Sequence, residues 1–221
     1  MIIDCIADLH GHYPQLEGGD LLIIAGDLTG EDSQEEVDDF DEWLANQRYK
    51  KKIFITGNHD NLLIREKPKK YMLKIGKKEF ERHEYLCDSG TEFEGLKIWG
   101  SPWTMKLKGM NPDCVAFTVD TEKQLAEKWA LIPDDIDILV THTPMFSYLD
   151  KTMDGPWVGS ASLRLWSKKN YLKGGRIKLH ICGHIHEGYG ICEDAVIPIR
   201  VNASHVNERY EPVNKPIRVV L

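Results

Sequence analysis

Short runs of apolar residues recur along the chain, and polar clusters rich in Asp, Asn and His follow several of them. The first three pairs are Ile2–Ala7 followed by Asp8-Leu9-His10-Gly11-His12, Leu21–Ala25 followed by Gly26-Asp27, and Ile53–Thr56 followed by Gly57-Asn58-His59-Asp60. A short apolar run that stops at turn residues is typical of a buried strand. We therefore predict three buried strands, each ending in a loop that carries polar side chains.

The same pattern continues in the second half of the chain. We predict strands at Tyr85–Cys87, Leu96–Trp99, Ile136–Val140, Ile177–Cys182, Ile191, Ile197–Val201 and Ile217–Leu221. Two of them lead into histidine motifs: Ile136–Val140 into Thr141-His142-Thr143-Pro144, and Ile177–Cys182 into Gly183-His184-Ile185-His186. These motifs bring the number of polar strand ends to five.

Helical periodicity appears in three segments. Residues 33–47 place apolar side chains on one helical face, and Ser33 with Glu36 forms the spacing of a capping box. Further helices are predicted at Thr121–Leu131 and Ser160–Lys169. Strands therefore alternate with helices, without a repeat or a linker, which predicts a single α/β domain over residues 1–221.

In open α/β sheets, ligands bind outside the carboxyl ends of the strands. The five polar strand ends are therefore expected to meet at one rim. Their candidate residues are Asp8, His10, Asp27, Asn58, His59, His142, His184 and His186. His184 and His186 are two residues apart, and extended backbone points such residues to the same side.

The formal net charge of −7 argues against a surface built for nonspecific nucleic-acid binding. The basic run Lys67–Lys78 is interpreted as an exposed excursion. Five cysteines without a Cys-x-x-Cys pair favour reduced thiols. With no signal-peptide pattern and no membrane-length apolar run, we expect a cytoplasmic protein without a membrane partner.

Carboxylate oxygen and imidazole nitrogen suit borderline divalent ions, and the absence of thiolate from the candidate set argues against a structural zinc site. A single His-x-His is more often a pair of surface histidines, and an isolated Asp or Asn more often caps a turn. Such motifs at five strand ends make coincidence improbable, so the pattern favours a metal centre.

The ordered blocks Asp-x-His, Gly-Asp, Gly-Asn-His-Asp, His and Gly-His-x-His resemble the calcineurin-like metallophosphoesterases over nearly the whole chain. The similarity is closest to the MPPED-type class III phosphodiesterase branch. It rests on Gly100-Ser101-Pro102-Trp103, Thr141-His142-Thr143-Pro144, Gly183–Gly190 and Asn202-Ala203-Ser204. The resemblance implies two facing mixed β-sheets flanked by helices, a four-layer sandwich.

The resemblance also implies two divalent metal ions, manganese first, with iron, zinc, cobalt or nickel as alternatives. The implied ligands are Asp8, His10 and His186 for one ion, Asn58, His142 and His184 for the other, and Asp27 as the bridge. His59 would stabilise charge on the phosphate or protonate the leaving oxygen. Asp60 would either orient His59 or cap the following helix.

Two such ions clamp phosphoryl oxygens and lower the pKa of a bound water, so that hydroxide attacks phosphorus. Protein Ser/Thr phosphatases of this superfamily carry an arginine just after Gly-Asp, and residues 26–32, Gly-Asp-Leu-Thr-Gly-Glu-Asp, contain none. We therefore expect hydrolysis of a small phosphodiester such as a cyclic nucleotide, without a stable nucleic-acid complex.

Alternatives remain. A phosphomonoesterase or a nuclease could use the same core, and retromer-type scaffolds resemble this fold without its catalytic residues. The complete ligand set argues against the scaffold. Trp103, Trp157 and Tyr189 lie beside strand-end loops, where they either stack a base of the substrate or anchor the loops.

Overall fold

Two β-sheets lie face to face in the computed structural model, which describes residues 1–65, 83–106, 112–153, 155–194 and 197–221. The basic run predicted at Lys67–Lys78 lies outside the described residues. The strands are β1 (Ile2–Ile6), β2 (Gly19–Ala25), β3 (Tyr49–Ile55), β4 (His83–Tyr85), β5 (Ser89–Phe93), β6 (Leu96–Ser101), β7 (Thr104–Met105), β8 (Thr118–Val119), β9 (Ile138–Thr141), β10 (Leu179–Cys182), β11 (Gly190–Asp194), β12 (Ile197–Asn202) and β13 (Ile217–Val220). The helices are α1 (Gln34–Ala45), α2 (Asn61–Arg65), α3 (Glu122–Trp129) and α4 (Ala161–Leu172), with a 3₁₀ turn at His186–Gly188.

Both sheets are mixed. The first has the order β13-β1-β2-β3-β4, in which only β13 runs antiparallel to its neighbour. The second has the order β11-β12-β10-β9-β6-β5, with β11 and β5 as antiparallel edges. A short pair, β7 and β8, stands apart. Because β1, β2 and β3 are parallel, their carboxyl ends meet on one rim, and so do those of β9 and β10 in the second sheet.

Strand alternation divides the core into layers. Ile3, Ile23 and Ile53 of the first sheet pack against Ile138 and Ile181 of the second, in a cluster between the sheets. Successive side chains of a strand point to opposite faces, so neighbouring residues of the same strands bury the outer faces. Both faces of each sheet are therefore apolar, which explains the continuous apolar runs in the sequence.

Helices cover the two outer faces. Phe40 and Leu44 of α1 pack on the first sheet, whereas Leu125 of α3 and Leu163 of α4 pack on the second. The predicted capping box starts α1: the Ser33 side chain accepts a hydrogen bond from the Glu36 backbone N–H. The expected sandwich of two facing mixed sheets flanked by helices is confirmed.

The structure differs from the sequence prediction at several boundaries. Strand β3 begins at Tyr49 rather than Ile53, because its first residues already pair with β2. The lysines concealed this part of the strand in the sequence, yet Lys52 is buried and its ammonium group donates hydrogen bonds to the Leu44 and Ala45 carbonyls at the end of α1. Such a cation stabilises the carbonyl end of a helix. The strand predicted at Tyr85–Cys87 is displaced to His83–Tyr85.

Three short strands were not predicted: β5, β7 and β8. Strand β5 joins β6 through the two-residue turn Glu94-Gly95, where both residues have positive φ, 47° and 80°. This geometry belongs to the type I′ hairpin. The polar composition of β5, Ser-Gly-Thr-Glu-Phe, concealed an edge strand whose second face meets solvent.

All five cysteines are free thiols. Among the described residues, none of the helices is long and apolar enough to cross a bilayer.

Candidate metal centre

The candidate residues occupy the loops that follow five strands, on the rim where the two sheets meet. Sharp turns at these loops require unusual backbone: φ is +50° at Asp8, +44° at His10, +51° at Asp27 and +69° at His184. A non-glycine residue in this region costs on the order of 1 kcal/mol or more, and Asp tolerates it better than most residues. The turns aim the side chains towards one another rather than along the strands.

Three groups of side chains offer ligand atoms that all lie within 4.8 Å of one another. The groups are Asp8, His10 and His186; His10, Asp27 and His59; and Asp27, His142 and His184. Asn58 adjoins the third group through its amide oxygen, which is 3.0 Å from Nε2 of His142. The structure thus brings together all seven residues predicted as metal ligands.

The surroundings of His142 show what the third group is suited to bind. Its Nδ1–H donates to the carbonyl of Ala25 at 2.9 Å. Its Nε2 lies 3.0 Å from the Asn58 oxygen and 3.3 Å from Oδ2 of Asp27. In the neutral ring all three converging atoms carry lone pairs, so the arrangement requires a proton or a cation between them. The donor set therefore fits a divalent ion.

His186 has a similar anchor at the other end of the cluster. Its Nδ1–H donates to the carbonyl of Asn207 at 3.0 Å, which leaves Nε2 facing His10 Nε2 at 3.3 Å. His10 Nε2 lies 3.8 Å from Oδ2 of Asp27. Histidines that bind metals are commonly fixed in this way, by a carbonyl on the second ring nitrogen.

Burial and charge favour the protonation states that metal binding needs. Burial lowers the pKa of His10 to about 3 and that of His184 well below its usual range. Burial would raise the pKa of Asp27, but His142, His59 and His10 hold it well below its usual range. Burial would also lower the pKa of His142, but Asp27 and Asp8 raise it to about 9. A cation would take the place of the His142 proton.

Two glycines are explained by close approach to the carboxylates. A Cβ atom on Gly57 would lie 2.2 Å from Oδ1 of Asp27, and one on Gly183 would lie 2.5 Å from Oδ2 of Asp8. The Asp8 carboxylate accepts hydrogen bonds from the His184 backbone N–H at 3.0 and 2.9 Å, and from the Ser204 hydroxyl. The motifs therefore fix the oxygen ligands as well as the imidazoles.

His59 stands at the border of the cluster. Its backbone N–H donates to Oδ1 of Asp27 at 2.9 Å, and its Nε2 lies 4.0 Å from Oδ2 of the same residue. Its other ring nitrogen, Nδ1, is 3.4 Å from Sγ of Cys114. In this position Nε2 of His59 faces the cluster, and the Cys114 thiol contacts the other ring nitrogen.

Asp60 is buried and makes its contacts elsewhere. Its carboxylate accepts hydrogen bonds from Leu28 N (3.0 Å), Thr29 N (3.1 Å), Thr29 Oγ1 (3.0 Å) and Gly57 N (2.8 Å). These bonds tie the loop after β2 to the loop after β3. They favour a structural role that holds the Asp27 loop, over the predicted roles of orienting His59 or capping a helix.

A cavity of about 410 Å³ adjoins the cluster. Its polar lining includes Asp27, Asn58, His59, His184 and His186 of the cluster, together with the charged residues Lys106, Glu187 and Glu208. The apolar lining comes from separate segments of the chain: Met105, Met153, Pro156, Val158 and Ile185. A cavity that combines apolar lining residues with a few polar groups is typical of a small-molecule site.

Two residues of the cavity lining, Cys114 and Tyr210, were not predicted from the sequence. No motif marks Cys114. Tyr210 follows Asn207 in a turn-rich segment, which was the only available signal. Of the three aromatics that were weighed, Trp157 is exposed and is not among the lining residues that the structure describes. The other two are hydrogen-bonded: Trp103 Nε1–H donates to Asp88 at 2.8 Å, and the Tyr189 hydroxyl donates to the Lys215 carbonyl at 2.8 Å. These bonds favour the anchoring role.

Comparisons with known proteins agree with this geometry. Residues 1–188 match the family model described as calcineurin-like phosphoesterase. The chain is 34% identical to human metallophosphoesterase domain-containing protein 1 over 243 residues, covering 98% of this chain and 70% of that protein. It is 33% identical to UPF0046 protein T07D4.2 of Caenorhabditis elegans over 239 residues, covering 96% of this chain and 58% of that protein.

A solved structure shares the fold at low sequence identity. The crystal structure of TT1561 of Thermus thermophilus superposes with a TM-score of 0.60 at 14% identity, covering 91% of this chain and 88% of that one.

Proposed function

The chain belongs to the calcineurin-like phosphoesterase family, and from that premise we propose that it is a metal-dependent phosphodiesterase acting on a small molecule. Family membership supports a metal-dependent phosphohydrolase in the first place. The observation that carries the proposal is the convergence of Asn58 Oδ1 and Asp27 Oδ2 within 3.0–3.3 Å of His142 Nε2, an arrangement that requires a cation or a proton. Since the ligands come from both sheets, we also propose that residues 1–221 act as one domain.

We propose two divalent ions, with manganese as the first candidate and iron, zinc, cobalt or nickel as alternatives. Asp8, His10 and His186 would hold one ion, Asn58, His142 and His184 would hold the other, and Asp27 would bridge them. When bound, such ions polarise the phosphoryl group and make water a nucleophile near neutral pH.

The residues of the chain prepare this chemistry. Asp27 is held ionised by the neighbouring histidines, and burial raises the pKa of the Cys114 thiol to about 11. A protonated thiol can donate its S–H to Nδ1 of His59 in the tautomer that carries the ring proton on Nε2, on the side of the cluster. In this tautomer Nε2–H can donate a hydrogen bond to the leaving oxygen. Proton transfer to that oxygen would start from the imidazolium form of His59, which returns to neutral imidazole.

The preference for diesters rests on two features. The loop after β2 has no arginine to hold a dianionic monoester, and it carries Glu31 and Asp32 instead. The apolar walls of the cavity offer a surface to an organic group beside the phosphate. A cyclic nucleotide has both the single negative charge and the size that suit such a site.

The test is a metal-resolved activity screen. The purified protein is stripped with a chelator and reloaded with Mn²⁺, Fe²⁺, Zn²⁺, Co²⁺, Ni²⁺ or Mg²⁺. Each form is assayed with bis(4-nitrophenyl) phosphate, 4-nitrophenyl phosphate and 2′,3′- and 3′,5′-cyclic nucleotides, with Asp27→Ala as the inactive control. We expect Mn²⁺ to restore hydrolysis of diesters better than Mg²⁺, which matches imidazole poorly.

Three outcomes would contradict the proposal. A preference for the monoester of about tenfold or more in kcat/KM would assign the chain to phosphatases. Activity that persists after exhaustive chelation, with metal analysis showing no bound ion, would exclude the metal mechanism. Absence of metal-dependent hydrolysis of every substrate would favour the scaffold alternative.

A further inference from the structure

The segment between β12 and β13 forms a tight loop that holds one aromatic residue, Tyr210. The Asn207 backbone N–H donates to the Glu211 carbonyl at 2.9 Å, and the Asn207 side-chain oxygen accepts from the N–H groups of Arg209 (2.9 Å) and Glu211 (3.0 Å). The Tyr210 N–H donates to the Asn207 carbonyl at 2.9 Å. The loop therefore fixes the backbone of Tyr210 from both sides.

The ring of Tyr210 lies against the candidate metal centre. Its centroid is 4.8 Å from that of His10, 5.2 Å from that of His186 and 6.0 Å from that of His59. The first two pairs are nearly perpendicular, at 79° and 88°. Tyr210 thus contacts two candidate ligands and the proposed proton donor.

The backbone of Tyr210 is strained. Its φ is +62°, a region that a bulky aromatic residue adopts at a cost on the order of 1–3 kcal/mol. Such strain persists where the surroundings impose it, and it concentrates at functional sites. Here the Asn207 carbonyl also accepts the Nδ1–H of His186, so one loop orients a candidate ligand and presents the tyrosine.

Tyr210 also lines the cavity of about 410 Å³, where it is the one Tyr, Phe or Trp among the lining residues that the structure describes. The residue remains 39% exposed, although contacts with the histidines cover part of its ring. Met105, Met153, Pro156 and Val158 line the same cavity. Thioether and proline surfaces that line the same cavity as an aromatic ring suit a flat organic group.

We propose that Tyr210 is a specificity-determining residue, whose ring packs against a flat, aromatic part of the organic group of the substrate. This inference rests on the proposed function, because it takes the phosphate to lie at the candidate metal centre. It narrows the substrate class to diesters with an aryl or heteroaryl group within reach of the phosphate. Stacking on an aromatic side chain contributes about 1–3 kcal/mol, or about 5–150-fold in affinity.

The test compares two phosphates that differ only in an aromatic group. Binding of adenosine 5′-monophosphate and of ribose 5-phosphate to the Mn²⁺-loaded protein is measured by calorimetry, in the wild type and in Tyr210→Asn. Asparagine suits positive φ, so this variant removes the ring without adding strain to the loop. Tyr210→Phe is the conservative variant, and Tyr171→Asn on the exposed side of α4 is the matched control.

We expect the wild type to bind the adenosine phosphate about 5–150-fold more tightly than the ribose phosphate. Tyr210→Asn should reduce this ratio to near one by weakening only the adenosine phosphate, with unchanged metal content and Tm. Tyr210→Phe should keep the ratio, and Tyr171→Asn should not alter it. This pattern separates packing on the substrate from a general effect on the site.

A wild type without preference for the adenosine phosphate would overturn the inference. So would an unchanged ratio in Tyr210→Asn, or equal weakening of both ligands. Metal-dependent hydrolysis of bis(4-nitrophenyl) phosphate is measured in the same preparations. Failure of that activity, with Tyr210-dependent binding intact, would contradict the proposed function rather than the role of Tyr210.

Discussion

The two sheets contribute different chemistry to the candidate metal centre. The loops of the first sheet supply every oxygen donor, from Asp8, Asp27 and Asn58. The loops of the second sheet supply only imidazoles, from His142, His184 and His186. Two of the three groups of converging side chains combine residues of both sheets. Neither sheet alone carries the complete donor set, so the centre depends on how the sheets pack.

Each sheet also orients the ligands of the other. The Ala25 carbonyl at the end of β2 accepts the Nδ1–H of His142, which follows β9. In return, the His184 backbone N–H and the Ser204 hydroxyl, both from the second sheet, donate to the Asp8 carboxylate. Partners that orient ligands in this way typically change metal affinity or activity about 10–100-fold. The contact between the sheets is therefore part of the site, and it can be broken at defined atoms.

The largest effect is expected for Asp27→Ala. Asp27 is the first-sheet residue that faces His142 of the second sheet as well as His10 of its own, so its loss should disturb both proposed metal positions. The fall in kcat/KM should exceed the roughly 10–100-fold expected for a partner that only orients a ligand. Metal content measured by mass spectrometry should fall at both positions.

Asp8→Ala provides the contrast. It should weaken mainly one ion, because Asp8 belongs to a single group of converging residues. Retention of two tightly bound ions in Asp27→Ala would show that the bridge is assigned wrongly.

His59→Ala comes next. If His59 protonates the leaving oxygen, its removal should lower the rate about 10²–10⁴-fold for substrates with a ribose hydroxyl as leaving group. The loss should be smaller for nitrophenolate, which leaves without a proton. Both proposed ions should remain bound, since His59 is assigned beside the metals.

Two results would change this assignment. Equal losses on both types of substrate would indicate stabilisation of charge on the phosphate rather than proton donation. Loss of an ion would make His59 a metal ligand, a role that its position in the group with His10 and Asp27 would allow.

The third prediction concerns the protonation of His142 in the second sheet, which carboxylates of the first sheet stabilise. Burial would lower the pKa of His142, but Asp27 and Asp8 raise it to about 9. A pKa raised above that of the unfolded chain, about 6.5, gives stability that is complete below pH 6.5 and is lost as pH rises through 9. The chelated protein should therefore lose about 3 kcal/mol of unfolding free energy across this window.

Urea unfolding at several pH values between 6 and 9.5 measures this dependence. His142→Gln should lose most of the slope, and the Mn²⁺-loaded wild type should not follow it, because a cation replaces the proton. A chelated wild type with constant stability from pH 6.5 to 9 would show that His142 is not charged by the first-sheet carboxylates.

The smallest effect is expected for Ser204→Ala. Removing this hydroxyl leaves the Asp8 carboxylate with the two bonds from the His184 backbone N–H. We expect a loss of about 10–100-fold in the affinity of one metal position, with little change in the other. Competition with a calibrated chelator measures it, and Ser162→Ala on α4 serves as the matched control. Equal weakening of both positions would argue for a global change in packing.

The convergence of the candidate ligands could be predicted from the sequence because each follows the end of an apolar strand. Predicting it requires only that the apolar runs are recognised as strands and that the carboxyl ends of parallel strands meet on one rim. The four-layer arrangement was predicted from the family resemblance. The continuous apolar runs are consistent with it, because strands buried on both faces have such sequences. The exposed edge β5 was missed because an edge strand with one face in solvent has no continuous apolar run.

The residues around the candidate ligands could not be predicted because they arrive through tertiary structure. Cys114 reaches His59 across 55 positions of sequence, and it has no motif of its own. Tyr210 lies in an irregular loop whose path depends on hydrogen bonds of Asn207. The contacts of Asp60 were missed for the same reason: its donors come from loops that only the fold brings together.

The pairing of β1 with β13 has a consequence for the order in which the protein is assembled during translation. The ion pair of Asp4 with Arg218 joins these two strands across 214 positions of sequence. At elongation rates of about 5–20 residues per second, one strand waits on the order of 10–40 seconds for the other. During that interval the free edge of β1 exposes backbone groups that can pair with other chains. All the proposed metal ligands, up to His186, are synthesised before β13. A nascent chain can therefore carry the full donor set while the first sheet still lacks its edge strand β13.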